Sequence, residues 1–201
     1  PAPAAALLKG LLIAAGLLMV ITSVVLIDGS GNWRGEVDAT QLTNAVLLCL
    51  GVGFAEELIF RSWLWTELQE MIGSRRAALA QASIFSLVHT RFNLGLGAMG
   101  GLLIGLFLLG MVLARQRQSD RGSLWGCIGL HGGLVAGWFL LQNDLLQLSP
   151  NAPPWLVGPG GHSPNPLGGL IGILSLLILL LIQRTAVANA LRPSTGARRA
   201  S

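Results

Sequence analysis

Long apolar stretches without a single charge constrain this chain more than any other feature. None of the residues from Leu11 to Ile27, or from Phe92 to Ala114, is Asp, Glu, Lys or Arg. A bilayer core of about 30 Å is crossed by roughly 20 helical residues. In lipid the backbone must satisfy its own polar groups, which leaves helices for a chain of this pattern. Six hydrophobic segments are visible: about Leu7 to Ile27, Leu42 to past Phe60, Ala77 to His89, Leu94 to Ala114, Leu124 to Leu141 and Leu167 to Ile182. The third is short and interrupted by polar groups. Only 11% of the 201 residues are charged, against about 25% in soluble domains. The expectation is an all-α, polytopic transmembrane helical bundle of about six spans. It forms a single membrane domain over residues 1–201, with its motif-bearing core at 42–141.

The first segment is too long for the apolar part of a signal peptide, and Ile27-Asp28-Gly29 is no small-residue cleavage site, so it reads as a span. Arg75-Arg76, the cluster Arg115, Arg117 and Arg121, and the tail arginines Arg184, Arg192, Arg198 and Arg199 fall on one side of the alternation. Loop bias in Lys and Arg sets orientation, which puts both termini in the cytoplasm of a bacterial-type plasma membrane. The same bias explains a pI near 10.5 without nucleic acid as a partner. The partners expected are the lipid bilayer and a membrane-associated peptide or protein. The chain opens on Pro1 rather than Met, as a fragment of a longer one would.

Glycines crowd the later spans, among them Gly100, Gly101, Gly126, Gly129, Gly132 and Gly133, as close helix approach in lipid requires. Pro150 to Pro166 reads as an irregular loop outside the membrane, with His162 an ordinary loop residue. The tail 185–201 is expected to be disordered. Trp125, Trp138 and Trp155 look like interfacial anchors. Cys49 and Cys127 have no metal-type spacing and nothing to support a disulfide.

The chemistry lies in ionisable groups kept inside the spans. A charge at the bilayer centre costs about 2.5–3.5 kcal/mol on insertion scales, so such groups face a cavity or one another. Glu57 and Arg61 stand four apart on one helical face and can pair, while Glu56 is rotated about 100° away and stays available. That pair alone could be a structural ion pair with Arg61 snorkelling to the headgroups. His89 and His131, two of only three histidines, also lie in spans. One carboxylate with two imidazoles can activate water, directly or through a metal.

These pieces, in this order, resemble the CPBP family of intramembrane proteases, which includes the type II CAAX prenyl endopeptidases. That family carries EExxxR, FxxxH and HxxxN or a similar polar version on successive helices. Here they correspond to Glu56-Glu57 with Arg61, Phe85 with His89, and His131. The resemblance covers about Leu42 to Trp138. It implies peptide-bond hydrolysis in a membrane cavity open to the cytoplasm. Glu56 aided by His89 would deprotonate water, His131 would stabilise the oxyanion or hold a ligand, and Arg61 would orient the carboxylates. No organic cofactor is implied. A divalent metal such as zinc is not required, and if present its ligands would be Glu56, His89 and His131.

One position departs from the family pattern. Four residues after His131 stands Val135, which cannot donate a hydrogen bond; a lost oxyanion donor costs about 10²–10³ in rate. Ser86 and Asn93 are the candidate substitutes. Val135 keeps open a non-catalytic relative acting as an immunity, adaptor or scaffold protein. A proton-relay transporter is disfavoured by carboxylates confined to one helix and by the lack of an inverted repeat. Depth makes a further demand. His89 lies 13 residues beyond Arg76, about 20 Å of helix, and His131 only 8 beyond Ser123, about 12 Å. For Glu56 to meet both, the second helix must continue through Glu70 and stop near Gly73.

Overall fold

A computed structural model describes residues 2–161 and 163–190. The chain is a helical membrane bundle, and each expected hydrophobic segment forms a helix. Helix α1 covers Pro3–Ile27, α2 Ala39–Glu57, α3 Trp65–Ile72, α4 Ser74–Leu87, α5 Leu96–Ser119, α6 Trp125–Leu140, α7 Pro154–Val157 and α8 Leu170–Ala190. Strands β1 (Gly31–Trp33) and β2 (Leu146–Leu148) pair antiparallel in the loops.

The count of six spans needs correction. Three described helices are long and apolar enough to cross a membrane: Pro3–Ile27, the continuous helix Ala39–Ile72 and Leu96–Ser119. Leu170–Arg184 is a shorter apolar helix. Helix α4 has only 14 residues, and α6 has 16, interrupted by His131 and several glycines. Helix α4 is exposed on one face, at Leu79, Ile84 and Leu87, while α6 is mostly buried among its neighbours. Around the outside, Leu12, Met19, Leu47, Leu50, Leu174 and Ile178 are exposed, as lipid-facing side chains should be.

Helix α2 starts where Asp38 accepts from the backbone N–H groups of Thr40 and Gln41. From there α2, a π-helical segment at Leu58–Leu64 and α3 form one rod. It stops at Gly73, whose φ of 78° closes the helix. The continuation through Glu70 that the depth argument required is therefore present.

Helix α6 is the centre of the assembly. Helix α1 runs parallel to it, with Gly10 against Gly126 and Leu130, and Gly137 against Leu18. Helix α2 runs antiparallel, and at Gly132 the two backbones are so close that a Cβ would collide with the Cys49 carbonyl. Helices α4 and α5 are likewise antiparallel: Gln81 donates to the Gly110 carbonyl and Ser86 to the Leu103 carbonyl. One end of the bundle therefore gathers the N-terminus of α1, the turn at Gly73 and residues 120–124. There Lys9 reaches Asp120 at 3.4 Å. The other end gathers residues 28–38, 88–95 and 141–169.

Several local expectations change. Helix α8 continues to Ala190, so residues 185–190 of the tail are helical, while 191–201 and His162 lie outside the described residues. Trp138 is not an interfacial anchor: it is buried and donates to the Pro164 carbonyl at 2.8 Å, pinning the Pro/Gly-rich loop to the bundle. Trp125 and Trp155 are exposed, as anchors would be. Both cysteines are free thiols, with Cys127 donating to the Leu113 carbonyl at 3.3 Å.

Candidate active site

All five residues singled out by sequence meet at one place, half-way along the α2–α3 rod. Glu57 and Arg61 are fully buried, and Arg61 Nη1 donates to Glu57 Oε1 at 3.0 Å. The same Oε1 accepts from His131 Nδ1 at 2.8 Å. Glu56 points the other way, as the 100° rotation requires, and its side chain is 26% exposed. Its Oε2 lies 3.6 Å from His89 Nε2 and 3.8 Å from His131 Nε2.

The hydrogen bonds fix the tautomers. His89 Nδ1 sits 2.7 Å from the Phe85 carbonyl, which can only accept, so Nδ1 carries a proton. His131 Nδ1 faces a carboxylate and carries one too. In the neutral rings both Nε2 atoms therefore present lone pairs towards Glu56 Oε2, which is buried and makes no hydrogen bond of its own. Three acceptors around one small space create a strong demand for a group that donates.

Phe85 holds the arrangement together. It is fully buried, with Arg61 Cζ 4.2 Å from its ring centroid, His89 tilted at 4.8 Å and His131 edge-on at 5.6 Å. Phe60 packs edge-on against the same ring at 5.1 Å. The arginine plane is thus held by a cation–π contact as well as by Glu57. Sequence marked Phe85 only as part of a motif; its burial among three functional side chains had no signal beyond the FxxxH spacing. The π-helical segment beginning at Leu58 also had none. Such segments are frequent at functional sites, and this one carries Arg61.

The site floors a cavity of about 270 Å³. Glu56, His89, His131 and Val135 line its depth, with Leu48 and Val52 of α2 and Leu106 and Leu109 of α5 beside them. Towards the end formed by residues 88–95 and 141–169 it is walled by Arg91, Gln142 and residues 163–167. Arg91 and Ser163 are its exposed members, so the mouth opens there. Thus the loop expected to lie outside the membrane folds back over the site. The mouth lies at the end of the bundle opposite the start of α1.

The two substitute donors proposed for Val135 do not serve. Ser86 is turned to the Leu103 carbonyl at 2.7 Å, and Asn93 is exposed in the turn beyond α4; neither lines the cavity. As for metal, Glu56, His89 and His131 are ligands of the right type, and each imidazole has its second nitrogen bound to an acceptor, as metal ligands usually do. Even so, no group of three or more His, Cys, Asp or Glu side chains among the described residues has the arrangement of a metal site. No step below runs through a metal.

Comparison with known families finds a match between residues 38–137 and the type II CAAX prenyl endopeptidase Rce1-like family. The matched region contains all five site residues together with Phe85 and Val135. No curated protein and no solved structure matches.

Proposed function

This chain belongs to the Rce1-like family of type II CAAX prenyl endopeptidases, and we propose that it is an intramembrane endopeptidase in which Glu56 activates the attacking water. The observation that carries the reading is the convergence of Glu56 Oε2, His89 Nε2 and His131 Nε2 at the floor of a half-enclosed cavity. A water between them would donate one hydrogen to Glu56 and one to an imidazole, leaving its lone pair for a carbonyl carbon. As the new C–O bond forms, Glu56 takes the water proton. As the C–N bond breaks, Glu56 returns that proton to the departing nitrogen, giving a free carboxylate and a free amine.

Buried Glu57 holds the His131 ring through Nδ1, and Arg61 compensates the charge of Glu57. His131, once it takes a proton at Nε2, would be the donor to the developing oxyanion. Val135 offers no second donor, and this favours slow turnover; it is also the one feature favouring a non-catalytic membrane scaffold instead. Lipid-facing helices on either side of the cavity suit a substrate held in or at the bilayer. The basic residues Lys9, Arg75, Arg76, Arg115, Arg117 and Arg121 belong to the end opposite the mouth. Orientation by positive charge therefore places the termini in the cytoplasm and the mouth on the other side.

The test is incubation of the purified protein in proteoliposomes with a panel of membrane-inserted peptides, with and without chelator, in water enriched in ¹⁸O. One ¹⁸O in the new carboxylate of a product supports hydrolysis, and loss of cleavage with chelator would restore a metal to the account. A folded protein that cleaves nothing in the panel would move the account to the scaffold reading.

A further inference from the structure

Proton transfer at Glu56 leaves the cavity mouth without a role, yet the mouth carries a cation. Arg91 sits in the turn after α4, two residues beyond His89, and is exposed. Among the described residues it is the one Arg or Lys on the cavity wall. Its Nη1 donates to the Ser163 carbonyl at 3.4 Å, the long limit of a hydrogen bond, and no described carboxylate pairs with it. Of the other acids at this end, Asp28 accepts from Ser30, Asp38 caps α2, Asp144 accepts from the Asp38 N–H, and Glu36 is exposed on the loop between α1 and α2. Beside Arg91, Gln142 donates to Ser163 Oγ at 3.4 Å and keeps its Oε1 buried without a partner.

A guanidinium offers a planar fork of donors that matches a carboxylate. A buried amide oxygen offers an acceptor, which a backbone N–H satisfies. Together they match a peptide residue that carries a carboxylate and its own N–H. Among the described residues Arg91 is also one of only two Lys or Arg at this end of the bundle; the other, Arg34, donates to Gln147 on the strand pair. Resting on the peptidase reading, we propose that Arg91 and Gln142 form a specificity subsite that selects substrates with a carboxylate displaced from the scissile bond. Gln142 lies 11 residues beyond His131, in a π-helical turn at Leu141–Leu145 that continues α6, about 16 Å of rise. An extended peptide covers about 3.3 Å per residue, so with side-chain reach the carboxylate falls roughly three to five residues from the cleaved bond. An acidic side chain and a free C-terminus present the same chemistry there.

The experiment uses one membrane-inserted peptide with Glu, Gln or Lys scanned two to six residues from the cleaved bond, each made as the free acid and as the carboxamide. Wild type should prefer Glu over Gln by about tenfold in kcat/KM, expressed in KM, at one or two positions. Arg91→Glu should invert the preference towards Lys, the inversion read as the ratio of kcat/KM between the Glu and Lys peptides. A dependence on free acid over carboxamide assigns the C-terminus; a dependence on Glu assigns a side chain. Binding of the same peptides to Glu56→Gln protein, with and without Arg91→Glu, is measured in parallel. If no peptide is cleaved but binding follows the charge at Arg91, the subsite stands and the peptidase reading falls. If peptides are cleaved or bound without regard to charge in either protein, the subsite is overturned and the peptidase reading is untouched.

Discussion

Replacing Arg61 with Met should damage the fold more than the loss of one surface charge could. Arg61 and Glu57 are both fully buried, and among the described residues Arg61 is the one Lys or Arg paired with that carboxylate. Breaking a buried pair by removing one partner costs about 3–5 kcal/mol, because the other charge is left uncompensated. A domain of this size shifts its midpoint by about 2–4 °C per kcal/mol, which makes the expected loss about 6–20 °C. Loss of the contact between Arg61 and the Phe85 ring at 4.2 Å adds to it. The double variant Arg61→Met with Glu57→Gln should recover most of that loss, since a neutral amide can still accept from His131 Nδ1 and no lone charge stays buried. The assay is thermal unfolding in detergent for wild type, both single variants and the double. An unchanged midpoint in Arg61→Met, or a double variant no better than Arg61→Met, would refute the reasoning that charge compensation holds this part of the bundle.

Gly132→Val should push α2 from α6, because the added carbons meet the Cys49 carbonyl rather than a movable side chain; loss of the folded fraction in detergent is the readout. Val135→Asn places a donor one turn beyond His131 on the cavity wall, and should raise the single-turnover rate by up to about 10²-fold if oxyanion stabilisation limits it. Cysteines introduced as Ser163→Cys and Arg75→Cys in a background lacking Cys49 and Cys127 should report sidedness. A membrane-impermeant maleimide should label the first in intact cells and the second only after permeabilisation; the reverse pattern would turn the cavity towards the cytoplasm.

The parts of this account that sequence made legible are those governed by periodicity and burial cost. Glu57 and Arg61 pair because four residues make a helical turn, and Glu56 is left over because one residue makes 100°. Glu56, His89 and His131 had to find one another because lipid tolerates no isolated ionisable group. The roughly 8 Å disparity in depth between the two histidines looked like a strain. In the structure His89 lies past the last residue of α4, and both Nε2 atoms still reach the same oxygen. What sequence did not carry depends on tertiary packing. The fold-back of residues 163–167 over the cavity follows from contacts such as Trp138 with Pro164, between residues 26 apart. Span count was overestimated because the apolar runs do not show where a helix stops: α4 has 14 residues and α6 has 16.

The central claim is that Glu56 activates water, and one comparison tests it most directly. Wild type and Glu56→Gln, matched for folding by their unfolding midpoints, are assayed on the same membrane peptide by mass spectrometry of products. Because Glu56 is partly exposed and bears no structural hydrogen bond through Oε2, the substitution should leave stability within about 1 kcal/mol. The account predicts cleavage by wild type and a loss of at least about 10²-fold in the variant. Equal cleavage by both proteins would contradict it, and the water would then have to be activated by some group other than Glu56.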